Sequence, residues 1–229
     1  MTTIRNNLQT VRSRIAAACA QAQRDVNDVT LLAVSKTFDA QAVREACAAE
    51  QRAFGENYIQ EAVEKMALLQ GLGIEWHCIG PIQSNKSRLV AAHFDWAHTV
   101  DRLKLAQRLS DQRPEHLPPL QVCIQVNIDG GATKAGVAPA EALALALEVA
   151  RLPRLSLRGL MTIPEPVPDF AAQKAVHQRA RTLFDSLRAA GLPVDTLSMG
   201  MTADLEAAIA AGSTKVRVGT AIFGGRPAA

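Results

Sequence analysis

Lys36 directly follows Leu31-Leu32-Ala33-Val34-Ser35, a short apolar run that reads as a buried strand. A lysine at the end of such a strand rises from low-dielectric surroundings. These favour the neutral amine that attacks a carbonyl to form a Schiff base. A solvated lysine at a strand end is the competing reading. Two segments near the C-terminus carry a different chemistry. Ser198-Met199-Gly200-Met201-Thr202 precedes a helical pattern from Ala203, and Gly219-Thr220 follows the strand-like run Thr214–Val218. Gly200 and Gly219 permit close backbone approach, Ser198 and Thr220 supply hydroxyls, and a helix start presents free N–H groups. Together they would cradle a phosphate. Ordinary turn chemistry, with Thr202 as an N-cap, explains each piece separately. Arg217 alternates with Val216 and Val218, so if the valines pack outward the guanidinium points inward. It then needs an acceptor: a ring nitrogen with a free lone pair, or a structural Asp or Glu.

The elements that would hold these residues alternate. Ile4, Leu8, Val11 and Ile15 mark an N-terminal amphipathic helix. Strand patterns follow at Val29–Lys36, Arg52–Glu56, Glu75–Ile79, Trp96–Val100, Leu120–Asn127, Leu155–Met161, Thr196–Ser198 and Thr214–Val218. Helical patterns separate them at 40–50, 59–69, 84–92, 101–112, 139–151, 169–190 and 203–211. The longest of these has Ala172, Val176, Leu183 and Leu187 on one face. Eight strand–helix units in 229 residues are the count and length of a single (β/α)8 TIM-type barrel with an extra N-terminal helix. The turn after the first strand, Ser35-Lys36-Thr37-Phe38-Asp39, has no glycine, which argues against a doubly wound sheet. Nothing resembles a linker, so one domain over 1–229 is expected. In a barrel, functional groups gather at the C-terminal strand ends, and phosphates in the loops after strands seven and eight. The singled-out residues fall there.

Composition excludes several classes. With 25 Lys and Arg against 22 Asp and Glu, scattered along the chain, the net charge of +3 argues against a nucleic-acid or anionic-membrane partner. The N-terminal segment lacks an apolar signal core, and no apolar run approaches the roughly 18–20 residues of a membrane span. Cys19, Cys47, Cys78 and Cys123 are far apart, with no metal-ligand spacing, and read as reduced, buried thiols of a cytoplasmic protein.

Six motifs carry a resemblance along nearly the whole chain: LLAVSKTFDAQAVREA, FGENYIQEAVEK, EWHCIGPIQSNKSR, QVNIDGGATKAGV, GLMTIP and LSMGMTADLEAAIAAGSTKVRVGTAIFG. In order and content they resemble the pyridoxal 5′-phosphate (PLP) homeostasis proteins, which are similar to the barrel domain of alanine racemase. The resemblance implies that Lys36 bears PLP as a Schiff base. It implies that Ser198, Gly200, Gly219 and Thr220 bind the phosphate, that Arg217 faces the pyridine nitrogen, and that Asn57 is a further cofactor-side residue. Cys78, Ile82 and Gly130-Gly131 depart from the family pattern without touching these positions. His77 is expected as a hydrogen-bonded core residue, Lys86 and Lys134 as solvated loop lysines, and Met161, Met199 and Met201 as pocket walls.

Two functions compete. A racemase needs a base on each face of the substrate α-carbon. In alanine racemases, by resemblance, the second is a tyrosine from a separate β-domain of a partner subunit. No further domain is expected after Ala229, and the sequence has a single tyrosine, Tyr58. An arginine at the ring nitrogen also weakens the ring as an electron sink. The expectation is therefore a non-catalytic protein that holds PLP and buffers it or delivers it to apo PLP-dependent enzymes; the resemblance implies a monomer. A PLP-dependent racemase is the alternative.

Overall fold

The strands pair in parallel and in sequence order, and the eighth returns to the first: Thr30 lies opposite Lys215 and Leu32 opposite Arg217. The barrel is closed. The structure, a computed structural model, describes residues 3–131 and 134–225, so Ala132 and Thr133 of the GGATKAGV motif lie outside it. Its strands are β1 (Thr30–Val34), β2 (Ala53–Glu56), β3 (Glu75–Cys78), β4 (Trp96–Val100), β5 (Leu120–Val126), β6 (Leu155–Thr162), β7 (Thr196–Ser198) and β8 (Lys215–Val218). The helices are α1 (Ile4–Gln21), α2 (Ala40–Ala48), α3 (Ile59–Leu68), α4 (Ser87–His93), α5 (Leu103–Gln112), α6 (Pro139–Val149), α7 (Phe170–Ala189), α8 (Leu205–Ala210) and α9 (Thr220–Phe223). Thus the expected barrel and its extra N-terminal helix are both present. No helix among the described residues is long and apolar enough to cross a membrane.

The main core lies between the strands and the helices. Leu8, Val11 and Ile15 of α1 are buried there, and so are Val216 and Val218, which face outward from β8. All four cysteines are buried and free.

Three local expectations need correction. The buried face of α7 is His177, Ala180, Phe184 and Leu187, so Ala172, Val176 and Leu183 lie beside the core stripe. Val176 and Leu183 pack partly buried against the core, and His177 takes a fully buried place. It is buried because its Nε2 pairs with Asp204 Oδ2 at 2.8 Å. Thr202 is not an N-cap: α8 begins after Asp204, whose Oδ1 accepts the Met201 N–H at 2.7 Å and closes a turn ahead of the helix. Of the three methionines, only Met201 reaches the pocket described below. Met199 lies in the core under the helices, and Met161 inside the barrel against Trp96 and Cys123.

Candidate functional site

A cavity of about 320 Å³ opens at the C-terminal mouth of the barrel. Its walls bring together Lys36 after β1, Asn57 after β2, and Arg217, Gly219 and Thr220 from β8 and α9. Val34, Ile79 and Ile163 supply apolar walls, and Met201, Thr202 and Ala203 close one side. Ligand pockets begin at roughly 300 Å³, so the space suits one small molecule. A larger hollow of about 580 Å³ lies between α1 and the first two strands, lined by Arg12, Gln51 and Arg52 among others. It gathers no comparable set of reactive groups, so the smaller cavity is the candidate.

Lys36 is presented by a tight turn. Phe38 N–H donates to Ser35 O at 3.1 Å, and Thr37 takes the left-handed conformation at φ 66°. A β-branched residue there is strained and needs outside support. The Thr37 N–H donates to Glu61 Oε1 at 2.9 Å. Behind the turn, Lys65 Nζ donates to Ser35 O at 3.0 Å, to Glu56 Oε1 at 2.7 Å and to Glu61 Oε1 at 3.1 Å. Ser35 Oγ also donates to Glu56 Oε1, at 2.6 Å. Glu56 and Lys65 are both buried. Burial raises the Glu56 carboxyl above the usual range, and Lys65 opposes that shift. One buried ion pair outside the barrel thus clamps the residues that precede Lys36 and Asn57. The sequence reading passed over Glu56, Glu61 and Lys65. The signal was present in GENYIQEAVEK, where a lysine falls on the apolar face of α3.

Arg217 points inward, as its alternation with the valines requires. Among the described residues its side chain donates to a hydroxyl and a carbonyl, not to the structural Asp or Glu that was one of the two expectations. Nη1 donates to Ser198 Oγ and Nη2 to Thr162 O, both at 2.9 Å. Burial brings its pKa down to about 10, which leaves the guanidinium charged at neutral pH. Ser198 is fully buried inside the barrel and does not line the cavity; it reaches the cavity through Arg217. Gly200 also lies outside the cavity wall. Its φ of 96° and the position of Ala208 Cβ, 2.5 Å from where a side chain would begin, require glycine there. Its carbonyl accepts the Arg217 N–H at 2.9 Å. Gly219 lies against Val34, joining the two strands that carry Arg217 and Lys36.

The barrel interior is unusually polar, since such layers are normally filled by Val, Ile and Leu. Beyond Ser198, His98 Nδ1 lies 3.0 Å from Ser198 Oγ, and His98 Nε2 lies 2.9 Å from His77 Nδ1. His77 Nε2 is 2.7 Å from Glu75 Oε1. Because β4 and β7 are not neighbours, the His98–Ser198 contact crosses the barrel. His77 is thus the hydrogen-bonded core residue expected, whereas His98 drew no notice in the sequence. Desolvation lowers the His77 pKa to about 4, and the Glu75 carboxyl, bonded to His77, is lowered to about 2. Lys134 is not a solvated loop lysine: it donates to Ile163 O at 2.9 Å and pairs with Glu165 at 3.3 Å, tying its loop to a cavity wall. Lys86 stands at the start of α4, outside the cavity wall.

The depressed His77 value has a consequence for acid stability. A base whose folded pKa lies below its ordinary 6.5 stabilises the fold fully above 6.5 and loses that contribution as pH falls toward 4. The difference corresponds to about 3 kcal/mol. Urea unfolding at pH 7 and pH 5 should show lower stability at pH 5, with a smaller pH difference in His77→Gln. An equal difference in the variant would assign the effect to other groups.

The site residues can be tested for cofactor fit on their own chemistry. Asn57 Oδ1 is buried and has no hydrogen-bond partner among the described residues, and the same holds for Thr37 Oγ1 and Thr162 Oγ1. A buried orphan acceptor on a cavity wall is what a bound polar ligand would satisfy. A lysine, a fixed cation and a hydroxyl in one small cavity suit an anionic carbonyl compound.

Residues 3–227 match the family model for the alanine racemase N-terminal domain. A pyridoxal phosphate homeostasis protein of Pseudomonas aeruginosa is 58% identical over 226 residues, covering 99% of this chain and 97% of the relative. The chain belongs to the pyridoxal phosphate homeostasis protein family. Another member, from Escherichia coli K12, is 55% identical over 229 residues, covering 99% of this chain and 98% of that protein. Among solved structures, PipY of Synechococcus elongatus with PLP bound superposes with a TM-score of 0.85 at 40% identity, covering 97% of this chain and 100% of PipY. Alanine racemase of Clostridium difficile, at 16% identity and a TM-score of 0.70, shares the fold over 95% of this chain and 57% of its own length. The barrel fold is thus shared with part of a longer chain.

Proposed function

We propose that this chain binds PLP as a reversible Schiff base on Lys36 and holds it for buffering or delivery. The observation that carries the reading is the convergence of Lys36, Asn57, Arg217, Gly219 and Thr220 on one small cavity at the C-terminal mouth. The PLP-bound PipY structure and the names of the full-length relatives support it. Bound PLP would supply an electrophilic carbonyl and an electron-withdrawing ring. Lys36 would take the carbonyl. Arg217, held by Ser198 and Thr162, would face the ring nitrogen. The phosphate would rest on the loops around Gly200 and Gly219, with the Thr220 hydroxyl beside it. The Ser198 oxygen is already engaged by Arg217 and His98, so its part would be to hold the arginine.

A carrier fits these groups better than a racemase. A fixed cation at the ring nitrogen keeps that nitrogen unprotonated and weakens the ring as an electron sink. Tyr58, the sole tyrosine of the sequence, stands half exposed at the start of α3 and does not line the cavity. Each missing acid–base group costs about 10²–10⁴-fold in rate. Deuterium wash-in at the α-carbon of alanine should therefore run little faster with the PLP-loaded protein than with free PLP. The same protein should restore activity to an apo PLP-dependent enzyme. Rapid wash-in with inversion of configuration would overturn the carrier reading.

A further inference from the structure

Arginine has only donors, and an ionised carboxylate has only acceptors. These two groups end the line that crosses the barrel: Arg217 at the cavity and Glu75 at the first residue of β3, at the opposite end. Between them stand Ser198, His98 and His77, joined by four contacts of 2.7 to 3.0 Å. A hydroxyl has one proton to donate, and so does each neutral imidazole. With the Arg217 N–H, four protons serve four contacts, and the two ends allow one direction. Arg217 donates to Ser198 Oγ. Ser198 must then donate to His98 Nδ1, His98 Nε2–H to His77 Nδ1, and His77 Nε2–H to Glu75.

The surroundings maintain the protonation states this requires. Both imidazoles are fully buried, and desolvation disfavours their cationic forms. Lys215 adds to this for both rings, and Arg217 for His98. Lys215 Nζ sits 4.2 Å over the Trp96 ring, and Trp96 stacks on His77 at 5.2 Å. Arg158 lies over the other part of the same assembly, 4.8 Å from the Trp96 centroid. A second proton on either imidazole would sit among these cations and would turn an acceptor nitrogen into a donor, breaking the line.

We infer that Glu75 is a positioning residue of the cofactor site, acting on Arg217 through a one-way hydrogen-bond chain of His77, His98 and Ser198. By fixing the last acceptor, Glu75 sets both histidine tautomers and commits the Ser198 proton to His98. The Ser198 lone pairs then face Arg217 and hold its guanidinium at the cavity through a neutral acceptor, with no carboxylate hydrogen-bonded to it among the described residues. A structural Asp or Glu bonded directly to Arg217 would also hold it, but would offset more of its charge than the more distant Asp204 does.

The experiment has two arms, because the effect on PLP rests on the proposed binding site while the chain itself does not. In the first, long-range proton–nitrogen correlation spectra of the ligand-free protein at pH 7 should show His77 and His98 neutral, each with its proton on Nε2. An Nδ1–H tautomer or a cationic ring at either position in the wild type would overturn the inference. In the second, Glu75→Ala should lose the single tautomer and show faster exchange of the Arg217 guanidinium protons. It should weaken PLP binding about five- to tenfold, the effect of one lost hydrogen-bond anchor. Glu75→Gln, whose amide oxygen can still accept from His77, should keep both tautomers and most of the affinity. Unchanged Arg217 exchange and unchanged affinity in a folded Glu75→Ala would also overturn it. If Glu75→Ala does not fold, the wild-type tautomers decide. If wild-type protein binds no PLP, the proposed function fails while the tautomer arm still tests the chain.

Discussion

Lys36→Ala should abolish the borohydride-reducible absorbance of the PLP-loaded protein and leave the barrel folded. Lys36 lies beyond the last residue of β1 and outside the hydrophobic core, so its loss should remove the proposed attaching amine without opening a cavity. Mass mapping of reduced wild type should place the added pyridoxyl group on the peptide carrying residue 36. In the variant, PLP should be retained only through the proposed phosphate and ring contacts and should wash out on dialysis. A full reducible band in Lys36→Ala would move the attachment to another lysine and remove the basis for the proposed site. Circular dichroism alongside the spectra separates this outcome from misfolding.

Lys65→Met has the largest expected effect on stability. Methionine fills similar space, but Glu56 is left buried without its counter-ion, a situation that costs about 3–5 kcal/mol. This is a large part of the roughly 5–15 kcal/mol by which a domain is stable. The sign of the pH dependence follows from the raised Glu56 carboxyl. A carboxyl raised in the folded state favours folding below its unfolded value near 4.5 and loses that contribution as pH rises through its folded value. Without Lys65 the rise is greater, so the deficit against wild type grows from pH 5 to pH 8. Glu56→Gln with Lys65→Met should recover much of the loss, because no uncompensated charge remains. Urea unfolding of both variants at the two pH values measures this. A deficit under 1 kcal/mol, or one independent of pH, would show that the pair does not carry this energy. The Ser35–Lys36 turn loses an anchor in Lys65→Met, so PLP affinity should fall in parallel.

Much of the site was legible because strand and helix periods are local. Alternation in Lys215-Val216-Arg217-Val218 puts the arginine inside once the valines are outside, and the order of units places Lys36 and Gly219 at the same mouth. The same reasoning mislocated Met161 and Met199. Parity tells which side of a strand a residue faces, but not its height in the barrel or which cavity it meets. Thr202 looked like a cap from its type alone, and Asp204 displaced it because His177 from α7 holds that carboxylate.

By itself the sequence determined eight strand–helix units, the inward arginine, the lysine just after the first strand and the family motifs. All of these depend on residue type and on spacing along one segment. Tertiary structure decided the rest. Glu56 meets Lys65 because α3 packs back over β2, and His98 meets Ser198 because barrel closure faces β4 toward β7. The partner of a buried polar group is set by strand register and closure, between residues 100 positions apart for His98 and Ser198. No local period encodes that distance, and desolvation in the closed interior is what makes such contacts matter energetically.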